Sequence, residues 1–267
     1  MIDALVFAAG LGTRLRPVTD TLPKALVTVG GMTILERAVR RIMVLDLGLI
    51  VVNAHHHAGQ IEAAVDRLNE ILAAEVAEGR GEDSGTGGMP RIIVSVEEDR
   101  PLETGGGLRQ ARRLFESGRP ILLHNGDVIT DFDLAALVAA HADGARDEQT
   151  VATLAVQRRD SSRLLLFDSN GLYGRRHVIP GRDEISRTPV GDTQAVAFAG
   201  AHVVAPGLVA ALPDRDVFSI TDHYLDLCAG GARIVPFDME TAGWWEIGTP
   251  ERLQAARRAL GGTAAGS

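Results

Sequence analysis

One cysteine stands among 267 residues, Cys228. That excludes a disulfide framework and a cysteine-based zinc cage. Aromatic residues make up 4%, too few for a platform that stacks single-stranded nucleic acid. Basic charge is also short: 27 Lys and Arg face 35 Asp and Glu, a formal net charge of −8. Nucleic-acid binders usually carry the opposite balance, so no nucleic-acid partner is expected. No run of eighteen apolar residues occurs, and the first apolar stretch, residues 4–9, is too short for a signal peptide or a membrane span. The expectation is a cytoplasmic protein with no membrane partner. Internal repeats are absent, a hexapeptide β-helix repeat included.

The rarest residue is informative. Lys24 is the single lysine, and every other strong base is arginine. A compositional preference for arginine is the plain cause. Under that preference, a lysine that persists points to a place for a compact ammonium rather than a planar guanidinium fork.

What is present reads as a folded α/β chain. Hydrophobic residues make up 45% and charged residues 23%, ordinary for a globular protein, and the length suits one generous α/β domain. Short aliphatic runs at 3–8, 49–53, 91–96, 120–124 and 151–156 predict strands covered on both faces. Thr33-Ile34-Leu35-Glu36 has capping-box spacing, and Leu35, Ala38, Val39, Ile42 and Met43 follow helical periodicity. Further helices are expected over 59–74, after the glycines at 105–107, and from Asp133 as N-cap. In the second half, Ser169-Asn170-Gly171 predicts a hairpin between strands 163–168 and 172–176. A strand at 195–204, a helix capped near Ser219 and running to Cys228, strands at 232–237 and 243–247, and a closing helix over 249–260 complete the reading. Residues 78–89 read as a mobile surface insertion and 261–267 as a frayed tail.

The chemistry concentrates where the first strand ends. Gly10-Leu11-Gly12-Thr13-Arg14-Leu15-Arg16-Pro17 leads to Thr19 and then Pro23-Lys24. A glycine-rich turn after a strand presents backbone N–H groups to an anion, and Gly10 and Gly12 let phosphate oxygens approach. Arg14, Arg16 and Lys24 supply local cations that an acidic protein needs to hold a polyphosphate. A dinucleotide fingerprint fails, because Leu15 stands where a third Gly or Ala is required, and a Walker A loop fails for want of Gly-Lys-Ser/Thr. Asp127, just past the apolar strand 120–124, stands where ligands bind in open α/β sheets. Asp131 and Asp133 take the turn and cap roles. His55-His56-His57 reads as a strand-to-helix loop, Cys228 as a core residue, and Trp244 and Trp245 as packing residues.

Residues 10–24 match throughout the signature Gly-x-Gly-Thr-Arg-Leu-Arg-Pro-x-Thr-x-x-x-Pro-Lys. On that string the chain resembles the sugar-1-phosphate nucleotidyltransferases. Leu102-Glu103-Thr104-Gly105-Gly106-Gly107 is similar to the family's base-contacting loop, Asn125-Gly126-Asp127 to its metal-binding strand end, and Trp245-Glu246-Ile247-Gly248-Thr249-Pro250 to its closing motif. The resemblance implies a three-layer α/β/α, Rossmann-like nucleotide-diphospho-sugar transferase fold with a mainly parallel mixed sheet. It implies one domain over 1–260, with a nucleotide-binding half (1–130) and a sugar-binding half (131–260).

The same resemblance implies transfer of a nucleotidyl group from a nucleoside triphosphate to a sugar 1-phosphate, with Mg²⁺ as cofactor. UTP with a hexose 1-phosphate such as N-acetylmuramate 1-phosphate is the first expectation. GTP with mannose or heptose 1-phosphate is the alternative, and a non-catalytic regulatory homologue is a reading of another class. Arg14, Lys24 and Asp127 would be catalytic. Ala8, Ala9, Gly10, Gly12, Thr13, Arg14, Glu103, Gly105 and Gly106 would hold the nucleotide, with Gly105 and Gly106 leaving room for the base. Lys24, Asn125, Arg176 and Gly200 would hold the sugar phosphate, and Asp127 and Glu246 the metal. Two departures stand out: Glu246 replaces the usual Asp, and the Glu-Lys-Pro motif of many members is absent, which leaves Arg176 as the expected substitute. Oligomeric state stays open.

Overall fold

The computed structural model describes residues 1–79, 89–147 and 149–261. Strand β1 (Ile2–Phe7) enters a loop of three 3-10 turns (Thr13–Leu15, Val18–Asp20, Lys24–Leu26). A hairpin of β2 (Thr28–Val29) and β3 (Met32–Thr33) and helix α1 (Ile34–Ile42) follow. Next come β4 (Leu47–Ala54), α2 (Ala58–Ala77), β5 (Arg91–Val96), α3 (Glu103–Ala111), β6 (Ile121–Asn125), β7 (Val128–Thr130) and α4 (Leu134–Gly144). The chain continues through β8 (Thr150–Gln157), β9 (Arg163–Asp168), β10 (Gly171–His177), β11 (Arg182–Ile185) and β12 (Gln194–Val204). It ends with α5 (Pro206–Ala210), α6 (Ile220–Ala229), β13 (Arg233–Asp238), β14 (Trp244–Glu246) and α7 (Pro250–Gly261).

Strands β5, β4, β1 and β6 lie side by side and parallel. β12 then pairs antiparallel with β6 and is shared between two extensions. On one, β8 pairs antiparallel with β12 and carries β13 in parallel. On the other, β9, β10 and β11 form an antiparallel meander. The result is one mixed ten-stranded sheet. Helices cover both faces. Leu35, Val39 and Ile42 of α1, Ile61, Val65 and Leu68 of α2, and Leu137 of α4 pack with Ala4, Val6, Ile50 and Leu122 on one side. Leu108 of α3, Leu208 of α5, and Ile220, Tyr224 and Cys228 of α6 pack with Leu5, Val51, Leu123 and Leu154 on the other. Alternate residues of β1 thus feed two separate cores, which is why its sequence is continuously aliphatic. Each such buried aliphatic side chain contributes about 1.5–3 kcal/mol.

Local expectations hold where the signal is local. The Thr33 side chain accepts from Glu36 N at 3.1 Å, and Asp133 accepts from the N–H groups of Ala135 and Ala136. The 169–171 turn joins β9 and β10. One boundary is corrected. The glycines at 105–107 lie inside α3, not before it. They are buried there, and each fills a place where a side chain would collide with Phe218, Asp216 or Asn53. Tertiary contact overrides their poor helix propensity. Of the surface insertion read at 78–89, residues 80–88 lie outside the described residues, as do 262–267 of the tail. Among the described residues no helix is long and apolar enough to cross a membrane.

The small sheet of β7 and β14 matters most for function. Glu246 pairs in register with Val128, and Ile247 N donates to Asp127 O at 3.1 Å. This antiparallel clasp brings the end of the chain beside the carboxyl end of β6.

Candidate active site

A cavity of about 310 Å³ opens at the carboxyl ends of β1, β4, β5 and β6. It is lined by the turn after β1 (Ala8, Ala9, Gly10), the start of α3 (Glu103, Thr104), the end of β6 (Asn125, Asp127) and Lys24. The location follows the rule for open α/β sheets.

The turn is built by two side chains. Asn53, at the end of β4, accepts from Ala8 N at 2.7 Å and Ala9 N at 3.3 Å through Oδ1. Thr19 donates its hydroxyl to Gly12 O at 2.7 Å. Gly12 has φ 63, and a Cβ there would lie 2.7 Å from Thr19 Cγ2. Only glycine closes this left-handed turn against the buried threonine. At Gly10 a Cβ would meet nothing within 4 Å, so the backbone there faces open space. Thr13 lies exposed in the 3-10 turn that follows.

Behind the turn lies a buried carboxylate. Glu97 accepts from Asn53 Nδ2 at 2.7 Å and from Leu102 N at 2.8 Å. Burial pushes its carboxyl above the usual carboxylate range, and these two hydrogen bonds oppose the rise. Glu97 thereby ties the β1 turn to the loop that opens α3. In that loop Glu103 has φ 60, a left-handed backbone that costs energy for a residue with a side chain. Glu103 lines the cavity.

The charged centre sits at the junction of β6 and β14. Lys24 Nζ donates to Asp127 Oδ2 at 2.6 Å and lies 3.5 Å from Glu246 Oε1. Lys24 and Glu246 side chains are each only 12% exposed, so the attraction is weakly screened. Arg14 approaches Glu246 Oε1 to 3.7 Å, and Arg252 pairs with Glu246 Oε2. Gly248 makes room for the longer side chain at 246: a Cβ there would fall 1.9 Å from Glu246 Oε1. The carboxylate therefore reaches the centre despite its extra methylene.

A divalent ion fits this donor set. Asp127 and Glu246 offer hard oxygens that converge on one ammonium. Mg²⁺ is typically held by one or two carboxylates together with phosphate oxygens and water. Among the described residues no group of three or more His, Cys, Asp or Glu gathers. His55, the first of the three adjacent histidines, instead meets Glu97 O through Nδ1 at 2.6 Å, and His57 precedes α2 with φ 56.

The structure thus brings Ala8, Ala9, Gly10, Lys24, Glu103, Asn125 and Asp127 to one cleft and gathers Arg14 and Glu246 at its edge. Gly200 stands just behind, in a bulge of β12 with φ 85. A Cβ there would lie 3.0 Å from Asn125 Nδ2. Three expected residues are placed elsewhere. Gly105 and Gly106 do not leave room for a base. Their N–H groups donate to Phe218 O at 2.9 and 3.2 Å, and their missing side chains make room for Phe218 and Asp216. Arg176 holds Asp183 of β11 through two bonds of 2.8 Å, half-exposed and outside the cleft lining. Residues that sequence reading passed over are Asn53, Glu97 and Arg252, while Gly248 was read only as part of the closing motif. The position of Asn53 and Glu97 at strand ends was the available signal. Arg252 carried none, since its partner Glu246 is reached only through the α7 turn.

The nucleotidyl transferase family profile matches residues 3–261. The N-acetylmuramate alpha-1-phosphate uridylyltransferase of Caulobacter vibrioides is 32% identical over 260 residues, covering 96% of both chains. The mannose-1-phosphate guanyltransferase of Aspergillus fumigatus is 25% identical over 94% of this chain and 62% of its own. The solved structure of HddC from Yersinia pseudotuberculosis complexed with GMP-PN superposes with TM-score 0.66 at 18% identity. It covers 97% of this chain and 100% of that one, and it supports the fold. The chain belongs to the nucleotidyl transferase family and is a sugar-1-phosphate nucleotidyltransferase.

Proposed function

We propose that the chain transfers the uridylyl group of UTP to a hexose 1-phosphate of the N-acetylmuramate type. A phosphate oxygen of the sugar phosphate forms the new bond to the α-phosphorus, the bond to the β-phosphate bridge breaks, and pyrophosphate leaves. No net proton transfer is needed, so the work is positioning and charge neutralisation. The observation that carries the reading is Lys24 held between Asp127 and Glu246 beside the glycine turn. The full-length likeness to a uridylyltransferase supports the choice of substrates.

Each residue then has a role. N–H groups of the turn at Gly10–Gly12 cradle the triphosphate, and exposed Arg14 steadies the departing pyrophosphate. Lys24 neutralises the phosphates as they meet. Asn53 and Glu97 hold the turn and the α3 loop at a fixed separation, with Glu103 facing the nucleoside. Asp127 and Glu246 would hold Mg²⁺, which when bound supplies positive charge at the α-phosphate.

The experiment is pyrophosphate release from UTP, GTP, CTP and ATP against a panel of sugar 1-phosphates, with Mg²⁺ and with EDTA. Release with UTP and N-acetylmuramate 1-phosphate, abolished by EDTA, is expected. Preference for GTP with mannose 1-phosphate would transfer the reading to the second class of relatives. Release unaffected by EDTA would remove the metal from it.

A further inference from the structure

Beyond the charged centre stands a guanidinium that the roles above do not use. Arg159 follows β8 and lies over the indole of Trp244, its guanidinium carbon 3.4 Å from the ring centroid. Its Nη2 donates to Phe198 O at 2.8 Å, beside the bulge at Gly200, and Trp244 itself is anchored through Nε1 to Ala199 O at 3.0 Å. Its other bond is a 3.4 Å contact to Asp160 O, and its buried Nε has no partner. Among the described residues no carboxylate lies within 4 Å of it. Burial, with Arg252 nearby, pulls its pKa down to about 10, opposed by Glu246. The group stays cationic at neutral pH.

Position decides what such a group can do. Lys24 and Asp127 line the nucleotide cleft. Glu246 lies 3.5 Å from Lys24, and Trp244, which carries Arg159 over its ring, stands two residues before Glu246 in β14. Around Glu246 stand the cations Arg14, Lys24 and Arg252, with Arg159 on the ring of nearby Trp244, against the anions Asp127 and Glu246. A chain of net charge −8 keeps a cationic surplus here. Reacting phosphates account for Lys24 and Arg14, which sit at the centre. Arg159 is beyond ion-pair distance of every carboxylate among the described residues and is held in place by the Trp244 ring and Phe198 O. A rigid planar fork matches a carboxylate, and pre-orientation lowers the ordering cost of binding.

We propose that Arg159, stacked on Trp244, is the subsite for a carboxylate carried on the ring of the acceptor sugar, separate from its reacting 1-phosphate. The inference rests on the transfer reaction above and narrows its acceptor to acidic sugar phosphates. It also gives the anion contact on this side of the site to Arg159, since Arg176 is occupied by Asp183.

The test compares two acceptors that differ in this group: N-acetylmuramate 1-phosphate, with a ring-borne carboxylate, and N-acetylglucosamine 1-phosphate, without it. Pyrophosphate release and calorimetric binding are measured for the full chain, R159Q and R159K. In R159Q the KM and Kd for the acidic acceptor should rise about tenfold or more, the loss expected for one charge-assisted hydrogen-bonded pair. KM for UTP, and for the neutral acceptor, should move less than about twofold. R159K should recover part of the loss, since it keeps the charge without the stacked fork. An equal loss for both acceptors would assign Arg159 to the reacting phosphate, and no loss for either would remove it from the site; each overturns the proposal. If the unmodified chain released no pyrophosphate with any pair, the transfer reading would fail, while the binding comparison would still decide the carboxylate subsite.

Discussion

Replacing Lys24 by arginine keeps the charge and changes only its shape. The Lys24 ammonium is one compact donor, 2.6 Å from Asp127 Oδ2 and 3.5 Å from Glu246 Oε1, with the side chain 12% exposed. An arginine carries its charge in a planar fork on a longer stem, so it cannot stand at that point without displacing one carboxylate. Arg14 and Arg252 already flank Glu246 and leave little freedom for the rearrangement. Loss of one preorganised stabiliser of this kind costs about 3–4 kcal/mol in the transition state, on the order of 10²–10³ in kcat. Both substrates should still bind, because the turn, Asn53 and Arg14 are untouched. Stability should hardly change: about 1 kcal/mol corresponds to roughly 2–4 °C in Tm for a chain of this size. Pyrophosphate release at saturating UTP and acceptor reads kcat, and differential scanning calorimetry reads the fold. A K24R variant with normal Tm and a kcat within about threefold of the parent would refute the reasoning.

Other consequences follow from the same geometry. Gly248→Ala places a methyl where the Glu246 carboxylate sits; kcat should fall on the order of 10²-fold with the fold intact, as for other small displacements of reacting groups. His124, His141 and His202 are buried, and desolvation lowers their pKa values to about 4, 4 and 3. Their unfolded values near 6.5 lie higher, so the stabilisation is complete above that pH and declines as pH falls below it, by about 1 kcal/mol per histidine between pH 6.5 and 5.5. Urea midpoints should drop across that interval, and a flat profile down to pH 5 would contradict the burial argument. Cys228 donates its thiol to Tyr224 O at 2.7 Å, and burial pushes its pKa up to about 12. Iodoacetamide at pH 8 should label it only after unfolding, which mass spectrometry reads directly.

Much of the molecule was written locally. The strands at 91–96 and 163–168 coincide with those read from the sequence, because a continuous β-branched and aliphatic run bounded by breakers has few other uses. The caps at Thr33 and Asp133 depend only on residues two or three positions away. The glycine turn and the lone lysine pointed to a phosphate site from spacing and scarcity alone. The glycines of α3 went the other way. Read as open space for a base, they are packing sites for Phe218 and Asp216, more than a hundred residues further along.

What sequence alone determined was therefore the set of elements, the glycine turn and the carboxylates near it, since each follows from near neighbours and residue chemistry. Tertiary structure decided the pairings. Glu246 meets Lys24 because β14 closes on β7. Asn53 and Glu97 become the scaffold of the turn because β4 and β5 end beside β1. Arg176 is taken by Asp183 across a hairpin while Arg159 rests on Trp244 with no carboxylate partner among the described residues. Charges bind through space with no regard for chain distance, so their partners become legible only when the sheet sets strand ends side by side.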